Sequence, residues 1–173
     1  VAVTFGTDFL SGADSDTTWA HYINIVVRYA DGNLGYSPLS GVPNSGHTVV
    51  IDTAAFGSGS GCTGYVPGAP YNLGRTLTHE LGHYFNLNHT FDGCGTNCNT
   101  TGDRICDTPP LSTPTFGCPV AGDTAGCSGV TAMSMNYMDY TDDACMYMFS
   151  LGQEARMLAV FAAGGPRNSF AQP

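Results

Sequence analysis

At 173 residues the chain lies in the single-domain range and is long enough to bury a sizeable core. Fourteen acidic residues face five basic ones, all of them scattered arginines, for a net charge of −9; a phosphate backbone is gripped by clustered Lys and Arg, so nucleic acid is argued against as a partner. No apolar run approaches the roughly 18 residues of a membrane-spanning helix, whereas 42% hydrophobic and 11% aromatic content supplies enough burial to fold.

In chain order, residues 1–5 (VAVTF) alternate in a β-like way and residues 22–29 (YINIVVRY) are β-branched and aromatic, so both are expected strands. Residues 1–9 lack the basic start and apolar stretch of a signal peptide, and we read the sequence as a mature or excised chain. Asp31-Gly32-Asn33 marks a turn. Residues 34–39 follow as a strand that Pro38 demotes to a sheet edge, and residues 48–52 (TVVID) as a short apolar strand. Residues 56–70 are a Gly/Ser/Pro loop, after which Asn72 offers a cap for a helix over 73–85. The lone histidines His21 and His47 read as packing or surface residues.

From residue 89 to 132 no periodicity survives, and five of the seven cysteines fall here. The cysteines form no CxxC pair, lysine is absent and charge is sparse, which fits a secreted, disulfide-linked protein. Ser150-Leu-Gly-Gln153 is a capping box opening a helix through Ala163, which Gly164-Gly165-Pro166 stops.

The chemistry is concentrated in His79-Glu80-Leu81-Gly82-His83. Imidazoles four residues apart share one helix face, about 6 Å apart along the axis, and both can reach one ion. Glu80 points to the same side at a different angle, where it can hold a water. His89 can join them only if the chain bends sharply after His83, and Asn86 is the best non-glycine candidate for the left-handed residue such a bend needs. Three neutral imidazoles suit Zn²⁺ and leave a fourth position open for solvent, as catalytic sites do.

Through these residues the chain resembles the metzincin metallopeptidases and, more closely, their pappalysin family. The resemblance is carried by HELGHYFNLNHTF at 79–91, GDRICDTPP at 102–110, NYMDYTDDACM at 136–146 and FSLGQEARM at 149–157. It implies an α/β (α+β) fold forming one catalytic domain over 1–173. An upper subdomain, to about residue 86, would carry a twisted mixed, mostly parallel sheet with the active-site helix. An irregular, disulfide-rich lower subdomain, about 87–173, would carry a methionine turn and the C-terminal helix. Met138 would lie beneath the metal without ligating it, and Tyr140 would approach the metal and stabilise an oxyanion. The same resemblance favours a Cys118–Cys145 bridge, with Cys127 joining Cys94 or Cys98 and Cys106 taking the other, which leaves Cys62 over. It also suggests calcium at Asp103, Asp107 and Thr108, although clustered aspartates equally serve as turn formers. Relatives that cut before basic residues carry an acidic residue where this chain has Ala144; Asp143 is the nearest substitute.

The function so implied is that of a secreted, monomeric zinc endopeptidase acting on proteins or peptides. Its nucleophile would be a zinc-activated water, with Glu80 as general base. A zinc-containing binding module without turnover, and a zinc hydrolase of a non-protein amide, are the alternative readings. An extended substrate would pair with the edge strand at 34–39.

Overall fold

The computed structural model describes residues 23–39, 48–58, 67–120, 122 and 124–171. The strand expected at 1–5, His21, His47 and Cys62 lie outside the described residues. Three strands form one mixed sheet: β1 (Asn24–Val27), β2 (Gly35–Tyr36) and β3 (Thr48–Ile51), in the order β1-β3-β2. β1 runs parallel to β3 with Val26 opposite Val50, and β2 runs antiparallel with Tyr36 opposite Val50. All four residues of β3 are buried, as a β-branched central strand covered on both faces should be. The edge strand expected at 34–39 is regular only over its two residues Gly35 and Tyr36. Asp52 closes the end of β3, accepting from Ala54 N at 2.8 Å and from Ala30 N, just past β1, at 2.9 Å.

Helix α1 (Arg75–Tyr84) lies against this sheet, with Tyr84 packed on Val49, Ile51 and Ala55. Its cap differs from the expected Asn72. Gly74 occupies the N-cap in the left-handed region, φ 78°, and has no side chain to offer. The donors at this end are instead satisfied from far along the chain: Asp143 Oδ2 accepts from Leu73 N at 2.8 Å and Arg75 N at 3.1 Å. A carboxylate at a helix N-terminus is favourable for the donors and for the dipole alike.

The second helix, α2 (Leu151–Ala159), opens on the expected capping box, with Ser150 Oγ accepting from Gln153 N and Gln153 Oε1 from Ser150 N. It ends four residues before Ala163, in turns that run on to the Gly164 stop. Between the helices the chain is mostly irregular and held by Cys94–Cys127, Cys98–Cys106 and Cys118–Cys145. These pairs agree with the pairing the family resemblance implied. A second core of Leu87, Ile105 and Met138, flanked by Phe149 and Met157, joins this half to the end of α1.

Asp143→Ala removes the carboxylate from two backbone donors at the start of α1. It should destabilise the protein by about 1–3 kcal/mol, read as a melting point lower by several degrees; an unchanged melting point would show that water caps this helix equally well.

Candidate functional site

The end of α1 turns the chain so that the third histidine comes back to the first two. Asn86 takes the left-handed conformation, φ 75°. Its N–H reaches His83 O at 2.8 Å and Leu87 N–H reaches Gly82 O at 2.9 Å, the paired bonds of a Schellman turn. Leu87 then drops into the second core, 1% exposed. Its carbonyl faces back and accepts from His83 Nδ1 at 2.7 Å. His89 follows two residues later.

The three rings meet at their Nε2 atoms, with His89 Nε2 2.9 Å from that of His83 and 3.2 Å from that of His79. His79 Nδ1 lies 2.6 Å from Tyr137 O. A carbonyl can only accept, so Nδ1 carries the proton in both His79 and His83, and each neutral ring turns its Nε2 lone pair inward. Lone pairs this close repel unless a cation lies among them. The donor set therefore fits a metal that favours imidazole nitrogen, zinc above all. Among the described residues it is the one group of three or more His, Cys, Asp or Glu side chains close enough to share an ion.

Burial first, and then the neighbouring rings His83 and His89, hold the His79 pKa down at about 3. Burial and His83 hold His89 at about 4, and burial lowers His83. The rings thus stay neutral and available as ligands. Beside them burial raises Glu80 to about 8, and its Oε2 has no hydrogen-bond partner. An orphaned carboxylate oxygen in a cleft is expensive to fold and marks a place where something else is to be bound.

A short stretch at residues 136–140 clamps this cluster. Tyr137 O receives His79, and Met138 O receives the N–H of Thr90, next to His89, at 3.2 Å. Met138 itself is fully buried beneath Gly82, where a Cβ would overlap its thioether. The stretch is anchored in turn by Asn136 and Gln153, both 0% exposed. Asn136 Nδ2 donates to Gln153 Oε1 at 2.7 Å, and Gln153 Nε2 to Asn136 Oδ1 at 3.1 Å. Sequence shows Gln153 only as a helix-capping residue and gives no sign that it pairs with Asn136. A glycine inside α1, about 1 kcal/mol worse than alanine in a helix, was the available signal that something packs closely there.

Tyr140 projects its hydroxyl to 3.2 Å from His89 Nε2. Burial, with Glu80 and Asp92 nearby, raises its pKa, so the hydroxyl remains a donor. Asp139 holds it there, Oδ1 accepting from both Tyr140 N and Thr115 N at 2.8 Å. The adjoining cleft, about 280 Å³, runs from Asn33, Leu34 and Gly35 past His79 and Glu80 to Arg75, Tyr140 and Met146. Gly35 sets its upper rim: a Cβ there would meet Val50 O at 2.8 Å and Glu80 Cγ at 3.0 Å.

Two acidic candidates are hydrogen-bonded within the protein. Asp143 is 2% exposed and its Oδ2 is engaged by the donors of α1, so it serves as a cap rather than as a receptor for a basic substrate side chain. The loop of Asp103, Asp107 and Thr108 is closed by hydrogen bonds. Asp103 accepts from Ile105 N and Thr108 Oγ1, and Asp107 from Ser150 Oγ and Gly152 N. A calcium ion would have to share these carboxylates with four internal bonds.

Two measurements follow from this geometry. Gly82→Ala should cost about 1–3 kcal/mol through overlap with Met138, and Met138→Ala should recover part of that loss in a double-mutant cycle; strictly additive effects would deny the contact. In metal-free protein the three lowered imidazole pKa values stabilise the fold above the ordinary 6.5 and lose that contribution as pH falls. Glu80, raised from 4.5, acts oppositely but is one group against three. The melting point of chelator-treated protein should therefore rise between pH 5 and 6.5, and less steeply in His89→Gln.

Comparison with known proteins places this geometry. The family model described as Pregnancy-associated plasma protein-A matches residues 14–162. Extracellular metalloprotease 1 of Coccidioides posadasii is 43% identical over 132 residues, covering 75% of this chain and 45% of that protein. An extracellular metalloprotease of Verticillium alfalfae is 45% identical over 133 residues, again 75% and 45%. The chain thus spans about half the length of the curated relatives it matches. Mature mirolysin of Tannerella forsythia, solved with a cleaved peptide, superposes with a TM-score of 0.75 at 32% identity, over 95% of this chain and 64% of that one. The chain belongs to the pappalysin family of metzincin metallopeptidases.

Proposed function

We propose that this chain is the catalytic domain of a secreted zinc endopeptidase. The observation that carries the reading is the convergence of three imidazole Nε2 atoms beside the buried carboxyl of Glu80, one oxygen of which has no partner, in an open cleft. His79, His83 and His89 would hold the ion. When bound, zinc supplies a Lewis acid that brings the pKa of water from about 15.7 toward 7.

The remaining work falls to side chains of this chain. Glu80 Oε2 accepts the proton of the attacking water and later delivers it to the leaving amine. In the metal-free site burial favours the protonated carboxyl; a nearby cation favours the carboxylate that a base must be. Tyr140 donates its hydroxyl to the developing oxyanion, held in place by Asp139. Met138 keeps the floor of the ring cluster packed. An extended peptide pairs with the outer edge of β2, which lies directly over Glu80.

Mirolysin holding a cleaved peptide and the relatives named extracellular metalloproteases support the peptide as substrate class and the location outside the cell. Three disulfides agree with that location.

Incubation with a diverse peptide library should give cleavage that a chelator stops and zinc restores. Glu80→Ala should retain one equivalent of zinc and lose at least about 10²-fold in kcat, and Tyr140→Phe should lose about 10²–10³-fold. Full turnover by Glu80→Ala would remove the base from its role. A wild-type protein that binds zinc but cuts no peptide would favour the binding module or the non-protein amide.

A further inference from the structure

A second recess, of about 410 Å³, lies apart from the reaction cleft and is lined, among the described residues, by Leu39, Asn86, Asn88, Arg104 and Arg156. Two of the chain's five basic residues meet here, and none of these lining residues is acidic. The reaction cleft has the opposite balance, with Glu80, Asp139 and Asp143 against Arg75. In a chain of net charge −9, the recess is where positive side chains gather.

Its walls are tied to the ring cluster. Asn86 and Asn88 belong to the turn that carries the chain from His83 to His89. Arg156 reaches across from α2 and donates to Asp103 O at 3.1 Å and to Arg104 O, which secures the loop from below. Arg104 holds a left-handed backbone, φ 60°, inside the loop that the Cys98–Cys106 bridge closes, and its side chain is exposed. The carboxylates nearby do not occupy the recess. Asp103 is buried, hydrogen-bonded to Ile105 and Thr108, and feels the charge of Arg156, and Asp92 feels that of Arg104; neither lines the recess.

Leu39 gives the distance to the reacting bond. Gly35, on the same edge segment, lies against Glu80, whose Cγ a Cβ there would meet at 3.0 Å, and the four residues from Gly35 to Leu39, strand only at Gly35 and Tyr36, span no more than about 13 Å. A peptide laid along this edge therefore reaches the recess within about four residues of the one opposite Gly35. We propose that the Arg104–Arg156 recess is a subsite for a carboxylate side chain, Asp or Glu, within about four residues of the scissile bond. The exposed Arg104 guanidinium fork matches a carboxylate in shape and charge, and Arg156, held on the carbonyls of Asp103 and Arg104, adds positive charge behind it. This inference rests on the peptidase reading above.

The test is a peptide series of neutral background in which a single Glu is moved from the second to the sixth position on either side of the scissile bond. Gln serves as the matched control, and kcat/KM is measured for each peptide. The Glu/Gln ratio should rise about two- to fivefold at one or two adjacent positions no further than the fifth, on one side only, and should shrink between 50 and 300 mM salt. Arg104→Asn, which suits a left-handed backbone, should return the ratio to about one. Arg104→Glu should push it below one, with zinc content and circular dichroism checking that each variant is folded. An enzyme that cuts these peptides with a flat Glu profile, or whose preference survives Arg104→Asn, overturns the subsite alone. Failure to cut any peptide overturns the peptidase reading with it.

Discussion

The site depends on one short backbone segment that presents two carbonyls and a thioether to the histidines. Tyr137 O fixes the tautomer and direction of His79, Met138 O holds the chain beside His89, and the Met138 side chain fills the space that Gly82 leaves. His79 and His89 lie on different structural elements, so neither α1 nor the loop after it could orient both. A single segment that touches both converts two independent side-chain orientations into one packing problem. The buried Asn136–Gln153 pair makes that segment rigid, because every amide contact in it has a defined donor and acceptor.

The acidic composition also acquires a structural meaning. Asp52, Asp103, Asp107, Asp139 and Asp143 each accept a backbone N–H, in the sheet, in the loops and at both helix starts. A chain with little regular structure has many backbone donors without ladder partners, and carboxylates satisfy them. Much of the negative charge thus serves internal architecture, which leaves the two-arginine recess as a local exception rather than part of an overall polarity.

What could be read from the residues was local. The four-residue spacing of His79 and His83, the left-handed bend at Asn86 and the capping box at Ser150 are each complete within six residues, so pattern alone exposes them. The edge character of residues 34–39 was visible through Pro38, and β2 lies at the end of the strand order. The start of α1 was misplaced because its cap, Asp143, lies 68 residues beyond Arg75. Distance along the chain likewise hid the reason for Gly82, which faces Met138, and the pairing of Asn136 with Gln153, 17 residues on. Local sequence carries no signal for a partner that the fold alone brings close.

Gln153 belongs to two structures at once, the first turn of α2 and the segment beneath the histidines. Glutamate begins helices of this kind as readily as glutamine does, but it has no amide hydrogen for Asn136 Oδ1 and would bring a charge into a fully enclosed space. A position that ordinary helices leave to either residue is thereby narrowed to one. The cause of that narrowing is an imidazole cluster with which the helix start shares no bond.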